Sequence, residues 1–175
     1  MLSLRLPLLM VLATIAVLPP VSRAQDTWGR LHFGMSPDEA KSTFNLPVHQ
    51  ASGSEIIKDY PLTLVANDTV VVQKLNVTPS FSFDENGKLQ LITLRAQRDD
   101  QEVDVQAIRR LCEALSAKYG QPVTQTTPCS SETPEGLCKA VWRDADQQIT
   151  FAFWGKRDHT LPLLIVAYQP LPTDI

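Results

Sequence analysis

The chain has 175 residues, 43% of them hydrophobic, with 19 acidic residues against 16 basic ones and a formal charge of −3. That length is enough for one domain or two small ones. A mildly acidic chain with no basic run is a poor match for nucleic acid or an anionic lipid surface, so neither is expected as a partner.

Residues 1–24 read as a signal peptide rather than as part of the fold. Arg5 supplies the positive start and residues 6–18 are apolar apart from Pro7 and Thr14. Pro19 and Pro20 end the run, and Ser22-Arg23-Ala24 fits a small-x-small cleavage site. The run is short for a membrane span of about 20 residues. Export with cleavage after Ala24 is the expectation, and an uncleaved N-terminal anchor is the alternative. Loss of Arg5 and Arg23 leaves 14 basic residues against 19 acidic ones, a charge of about −5. No transmembrane segment is expected after cleavage, and the expected location is periplasmic or secreted.

The segment from Trp28 to Ala40 opens the remaining chain. Ser36 can cap a helix, Pro37 fits its first position, and Glu39 stands three residues after the cap to complete a capping box. Gly34 allows a sharp turn out of an extended segment ending at Phe33. The helix is expected to end near Phe44, because Asn45 and Pro47 stop it. Residues 49–54 read as a polar connector, and 55–66 as a short strand interrupted by Pro61. Residues 69–77 are rich in β-branched side chains and read as one strand. Phe81 and Phe83 alternate with Ser80 and Ser82 at strand period. A turn centred on Asn86-Gly87 then leads back into a partner strand over 89–96.

A second helix follows. Asp99 can cap it, with Glu102 three residues on. Val105, Ile108, Leu111, Cys112, Leu115 and Tyr119 form one apolar stripe, and Gly120 ends the helix. Further strands are expected at 140–143, 147–154 and 161–169, with turns at 144–146 and 155–160. Residues 170–175 form a tail.

This order of elements occurs twice. Phe44-Asn45-Leu46-Pro47-Val48 matches Tyr119-Gly120-Gln121-Pro122-Val123 at an offset of 75 residues. Phe81-Ser82-Phe83 matches Phe151-Ala152-Phe153, and the apolar pattern of 89–97 matches that of 161–169. The fold expected is therefore α+β: two helices packed on antiparallel sheet, from a tandem duplication of a helix-plus-strands unit. The first unit would span 25–98 and the second 99–175, either as separate units or as one continuous domain over 25–175.

A helix opening with Gly-x-Ser-Pro-x-Glu (Gly34 to Glu39), two aromatic-x-x-Pro exits and several antiparallel strands resemble the BLIP-like class of exported proteins. That class includes the β-lactamase inhibitor proteins and the BamE-type assembly lipoproteins. The resemblance implies a curved sheet whose open face binds a protein partner. The second half lacks the Gly-x-Ser-Pro opening, and no cysteine stands near the cleavage point for lipid attachment.

Residues that could carry chemistry are few. Cys129 and Cys138 lie in a Ser/Thr/Pro/Gly-rich segment and are expected to pair, which would stabilise so short a loop by about 2–3 kcal/mol. Cys112 falls on the helix stripe as a buried thiol, unless it pairs with Cys129 or Cys138 instead. His32, His49 and His159 share no metal-ligand spacing, so neither a metal nor a cofactor is expected. The carboxylates at Asp99, Asp100, Glu102 and Asp104, and at Asp144 and Asp146, sit where they cap or turn. The calcium-loop-like Asp84, Asn86 and Gly87 lack the distant glutamate. Asn67-Asp68-Thr69 and Asn76-Val77-Thr78 match the glycosylation sequon; they matter only if the cell glycosylates exported proteins, and a chance match is the expectation.

Trp28, Trp142, Trp154 and Tyr168 are the expected binding residues, placed near strand ends or on the face opposite the phenylalanines. The last strand is apolar on both faces, which calls for a cover on each. The expected function is a non-enzymatic, exported protein-binding or envelope-associated module acting through an exposed sheet face. The alternatives are an exported hydrolase assembled only in the fold, with His32 and the acidic clusters as its candidate groups, and a small apolar-ligand carrier.

Overall fold

A computed structural model of the chain describes residues 30–97, 105–126, 137–154 and 163–171. Gly34, at φ 87°, turns the chain into the first helix. Its N–H donates to the Leu89 carbonyl at 2.9 Å, and the Leu89 N–H donates to the Met35 carbonyl at 2.9 Å. The turn is thus pinned to the start of a central strand. Helix α1 (Pro37–Phe44) opens on a complete capping box. The Glu39 N–H donates to Ser36 Oγ at 3.4 Å, and the Ser36 N–H donates to the Glu39 carboxylate at 2.7 Å. Those bonds from Ser36 hold the Glu39 carboxyl below its ordinary range. Asn45 ends the helix in the left-handed conformation at φ 54°, its N–H donating to the Lys41 carbonyl.

The strands are β1 (Val48–Gln50), β2 (Leu62–Ala66), β3 (Val70–Val72), β4 (Leu75–Phe83), β5 (Leu89–Gln97), β6 (Thr124–Gln125), β7 (Leu137–Asp144), β8 (Gln147–Trp154) and β9 (Leu163–Pro170). Every described pairing is antiparallel. The order across the sheet is β1-β2-β4-β5-β9-β8-β7-β6, with β3 lying beside the far part of β4. Helix α2 (Val105–Tyr119) stands between the two groups of strands in sequence. The class is α+β, two helices on one antiparallel sheet, and the sheet predominates. It runs without interruption through the β5–β9 pairing, from Ile92 opposite Tyr168 to Gln97 opposite Leu163.

Both helices lie on the same face. Phe44 and Ala40 of α1 pack with Leu64, Phe81, Phe83 and Ile92, and the Phe44 and Phe81 rings meet edge-on with centroids 4.7 Å apart. The stripe on α2 packs as its spacing predicts, with Ile108, Leu111, Cys112 and Leu115 buried against Leu94, Trp142, Phe151 and Val166. Gly120 ends α2 at φ 80°, and its N–H donates to the Ser116 carbonyl. Tyr168 borders both clusters at the middle of the sheet.

Three local expectations are corrected. The connector at 49–54 begins inside edge strand β1 and continues into a short 3-10 turn (Gly53–Glu55). Three residues are too few to show a strand period, and pairing with β2 is what makes β1 a strand. The strand expected over 69–77 is a hairpin: β3 turns into β4 through Gln73 and Lys74, at φ 50° and 69°. Two consecutive positive φ values between paired residues define a type I′ turn, normally marked by Asn-Gly, and Gln-Lys gives no such signal. No strand was expected at 124–125, where β6 pairs with β7 for two residues. Pro79 is tolerated inside β4 because it falls between the two outer pairings: β3 ends opposite Val77 and β2 begins opposite Ser80. The expected cap of α2 at Asp99 and Glu102 lies outside the described residues.

Two predictions follow from this packing. Replacing Gln73-Lys74 with Asn-Gly relieves two left-handed residues that cost about 1 kcal/mol each, so thermal unfolding should move up by about 2–4 °C for a net gain near 1 kcal/mol. Trp142→Ala, by contrast, should lose about 3–5 kcal/mol by chemical denaturation, whereas a loss below about 1 kcal/mol would contradict the burial of its indole.

Candidate interaction face

Alternate residues of a strand point to opposite sides, so the register separates the expected binding residues into two groups. Trp142 pairs with Ile149, and Ile149 with Tyr168, all on the helix-covered face. The Trp142 side chain is fully buried, and its Nε1–H donates to the Gly120 carbonyl at 3.0 Å. That bond ties the end of α2 to β7 and satisfies the one polar atom of the indole. Tyr168 stands beside Ile92 in the same layer, and burial raises its phenol above the ordinary value, with Tyr119 adding to the effect. Neither side chain is on the face opposite the phenylalanines, as expected from sequence. Both share the phenylalanines' face: Trp142 is buried in the core and Tyr168 is half-buried against it.

Trp154 is different. It is 40% exposed and lies on the helix-free face, opposite Leu163 of β9. Trp28 and Cys129 lie outside the described residues, so the Cys129–Cys138 pairing does too. Cys138 and Cys112 are both buried in the cluster beneath α2.

The helix-free face has two characters. Over β2, β4 and β5 it is closed, with Thr63, Val65, Ser82 and Thr93 all buried. Thr63 Oγ1 and Ser82 Oγ, cross-strand partners, share a hydrogen bond of 2.9 Å. Over β7, β8 and β9 it is open. Val141, Thr150, Ile165 and Ala167 are half-buried there, and Lys139, Arg143 and Trp154 are exposed. Cross-strand rows define its layout: Lys139 aligns with Ala152 and Ile165, and Val141 with Thr150 and Ala167. The small residues make a low floor, with Trp154, Lys139 and Arg143 standing at its margins and the half-buried Arg95 next to Ile165 on β5. Sequence reasoning found Trp154 and the two-faced last strand but missed Lys139, Arg143 and the floor. Their only signal was the alternation around Trp142, which could be phased only once β7 was paired with β8.

Among the described residues, neither His32 nor His49 is bonded to Asp144 or Asp146; His159 and the cluster at residues 99–104 lie outside the described residues. His32 is exposed and its ring contacts the Phe33 carbonyl. His49, on edge strand β1, is the described histidine that reaches a carboxylate. Its Nδ1 lies 2.8 Å from Asn67 Oδ1 and its Nε2 3.3 Å from Glu55 Oε2. The Glu55 carboxylate also accepts from the Ser52 N–H at 3.1 Å and from Ser52 Oγ at 3.5 Å. The serine therefore donates to the carboxylate and not to the imidazole. A Ser-His-acid relay needs the imidazole in the middle to take the serine proton, and here the acid occupies that place. The cluster closes a turn against the sheet edge.

Among the described residues no three His, Cys, Asp or Glu side chains are grouped to hold a metal ion, and no helix is long and apolar enough to cross a membrane. No protein-family model matches the chain, and neither any curated protein nor any solved structure is matched by it.

The His49 cluster gives a pH prediction. Two acceptors, Asn67 first and Glu55 second, favour the imidazolium and raise the His49 pKa. The Ser52 N–H, aided by His49, lowers that of Glu55. A raised histidine contributes stability below its unfolded value of about 6.5 and loses it as pH rises through the folded value. A lowered glutamate contributes above about 4.3 and loses it as pH falls through the folded value. The pair should therefore support β1 most between roughly pH 4.5 and 6.5. A proton NMR titration should place His49 above 6.5, and Glu55→Gln should bring it down; an unchanged value in that variant would remove Glu55 from the account.

Proposed function

We propose that this chain is an exported, non-enzymatic binding module whose working surface is the helix-free face over β7, β8 and β9, where a partner protein docks. The observation that carries this reading is Trp154: a large aromatic side chain left exposed beside half-buried apolar residues on a rigid sheet. Indole rings are among the side chains that dominate binding energy when a partner desolvates them. An exposed apolar patch on a framed sheet is more economically explained by a partner than by the needs of the core.

Export rests on the signal-like residues 1–24, and periplasmic or secreted placement goes with it. The tandem-duplication reading is part of the same proposal. In its support, each half runs helix, short edge strand, then antiparallel strands, the first half adding β3 between β2 and β4, and the last strand of each half pairs with the other at the centre of the sheet. Both helices exit through an aromatic residue and a left-handed residue, Phe44-Asn45 and Tyr119-Gly120. The BLIP-like resemblance supports the same use of a sheet face toward a protein.

The test is capture from an envelope fraction by the chain spanning 25–175, read by mass spectrometry, with Trp154→Ala as the paired bait. One dominant protein held by the unaltered chain and reduced at least tenfold by the substitution, with circular dichroism unchanged, is the expected outcome. Equal capture by both baits would reject the face as the working surface.

A further inference from the structure

Lys139 and Arg143 are both exposed, both on β7 and both on the helix-free face, with Val141 between them. Among the described strand residues that face carries no Asp or Glu. The acids of the second half that are described in its strands and turns, Asp144 and Asp146, are elsewhere: Asp144 alternates onto the opposite side, and Asp146 belongs to the β7–β8 turn. In a chain with 19 acidic and 16 basic residues, one face has thus been left with cations alone. No ion pair joins Lys139 or Arg143 to another described residue.

Spacing adds to sign. Four residues along a strand separate the two cations by about 13 Å. An extended segment running along β7 presents its own residues i and i+4 on one side at the same separation, with residue i+2 between them. Carboxylates at i and i+4 would meet Lys139 and Arg143, and an apolar side chain at i+2 would sit over Val141 and the Thr150 and Ala152 floor. Trp154 would close the end of that strip. Cations at the margin of an apolar strip steer an acidic partner and reject a basic one.

We propose that the occupant of this face is an acidic protein segment, extended, with carboxylates four residues apart about an apolar residue. The proposal rests on the binding-face reading above and names the chemistry of its partner.

The test uses the purified full chain and three extended fifteen-residue peptides differing only in one register: Glu-x-Leu-x-Glu, Gln-x-Leu-x-Gln and Lys-x-Leu-x-Lys. Binding is followed by fluorescence anisotropy and by amide shifts. The acidic peptide should bind at least tenfold more tightly than the neutral one, move the amides of Lys139, Val141, Arg143 and Trp154, and weaken as salt rises. Lys139→Glu with Arg143→Glu should reverse the preference toward the lysine peptide. Equal binding of all three peptides, or acidic binding untouched by the double substitution, overturns the proposal. So does charge-dependent binding of vesicles rich in anionic lipid with none to the peptides. The two readings fail separately: loss of partner capture with Trp154→Ala but not with the charge reversal retains the face and rejects the acidic class.

Discussion

The pairing of β5 with β9 is the constraint on which the rest of this structure depends. Each half of the chain ends in a strand, and each of those strands has its own hairpin partner on one side only. The other edge of each would be a row of unpaired N–H and C=O groups. Joining the two edges, from Ile92–Tyr168 to Gln97–Leu163, removes both and makes one continuous sheet. The same pairing aligns the faces of the two halves, so that α1 and α2 lie on one side and the other side is left to the strands. Tyr168 sits where the two clusters meet, and its burial belongs to this junction rather than to either half alone.

The junction also explains why the two sides of β9 differ in duty. Leu164, Val166 and Tyr168 complete the layer beneath the helices, while Ile165 and Ala167 face the side without helices and are only half-buried. The neighbouring central strand β5 carries Thr93 and Arg95 on that side, so the apolar second face belongs to β9 itself. The open part of that side, over β7 to β9, is where Trp154, Lys139 and Arg143 stand. The closed part over β2, β4 and β5 includes the hydroxyl pair Thr63–Ser82, in which each oxygen has a partner.

Aromatic side chains divide in this protein by register, not by type. Trp142 and Trp154 are twelve residues apart in neighbouring strands, yet one is fully buried and the other 40% exposed. A tryptophan is apolar enough to be favoured in either place, so its identity says nothing about which. What decides is the hairpin at Ala145-Asp146, whose two-residue length sets Trp142 against Ile149 and thereby Trp154 against the helix-free side. A one-residue slip there would turn Trp154 onto the same face as Trp142.

Local chemistry was legible without any structure. The capping box from Ser36 to Glu39, the α2 stripe, the Asn86-Gly87 turn and the two left-handed helix exits all depend on neighbours within four or five residues, and each appears where those residues place it. The α+β class followed from the same local signals. The short strands β1 and β6 and the Gln73-Lys74 hairpin were not legible, because two or three residues carry no period and an unfavoured turn is held by the strands around it. The open helix-free face was legible only as an apolar last strand and a set of aromatics. Which aromatics stay in contact with solvent, and that the cations stand on the same face as one of them, was decided by strand register and by the β5–β9 junction. Those are contacts between distant parts of the chain, and no local pattern encodes them.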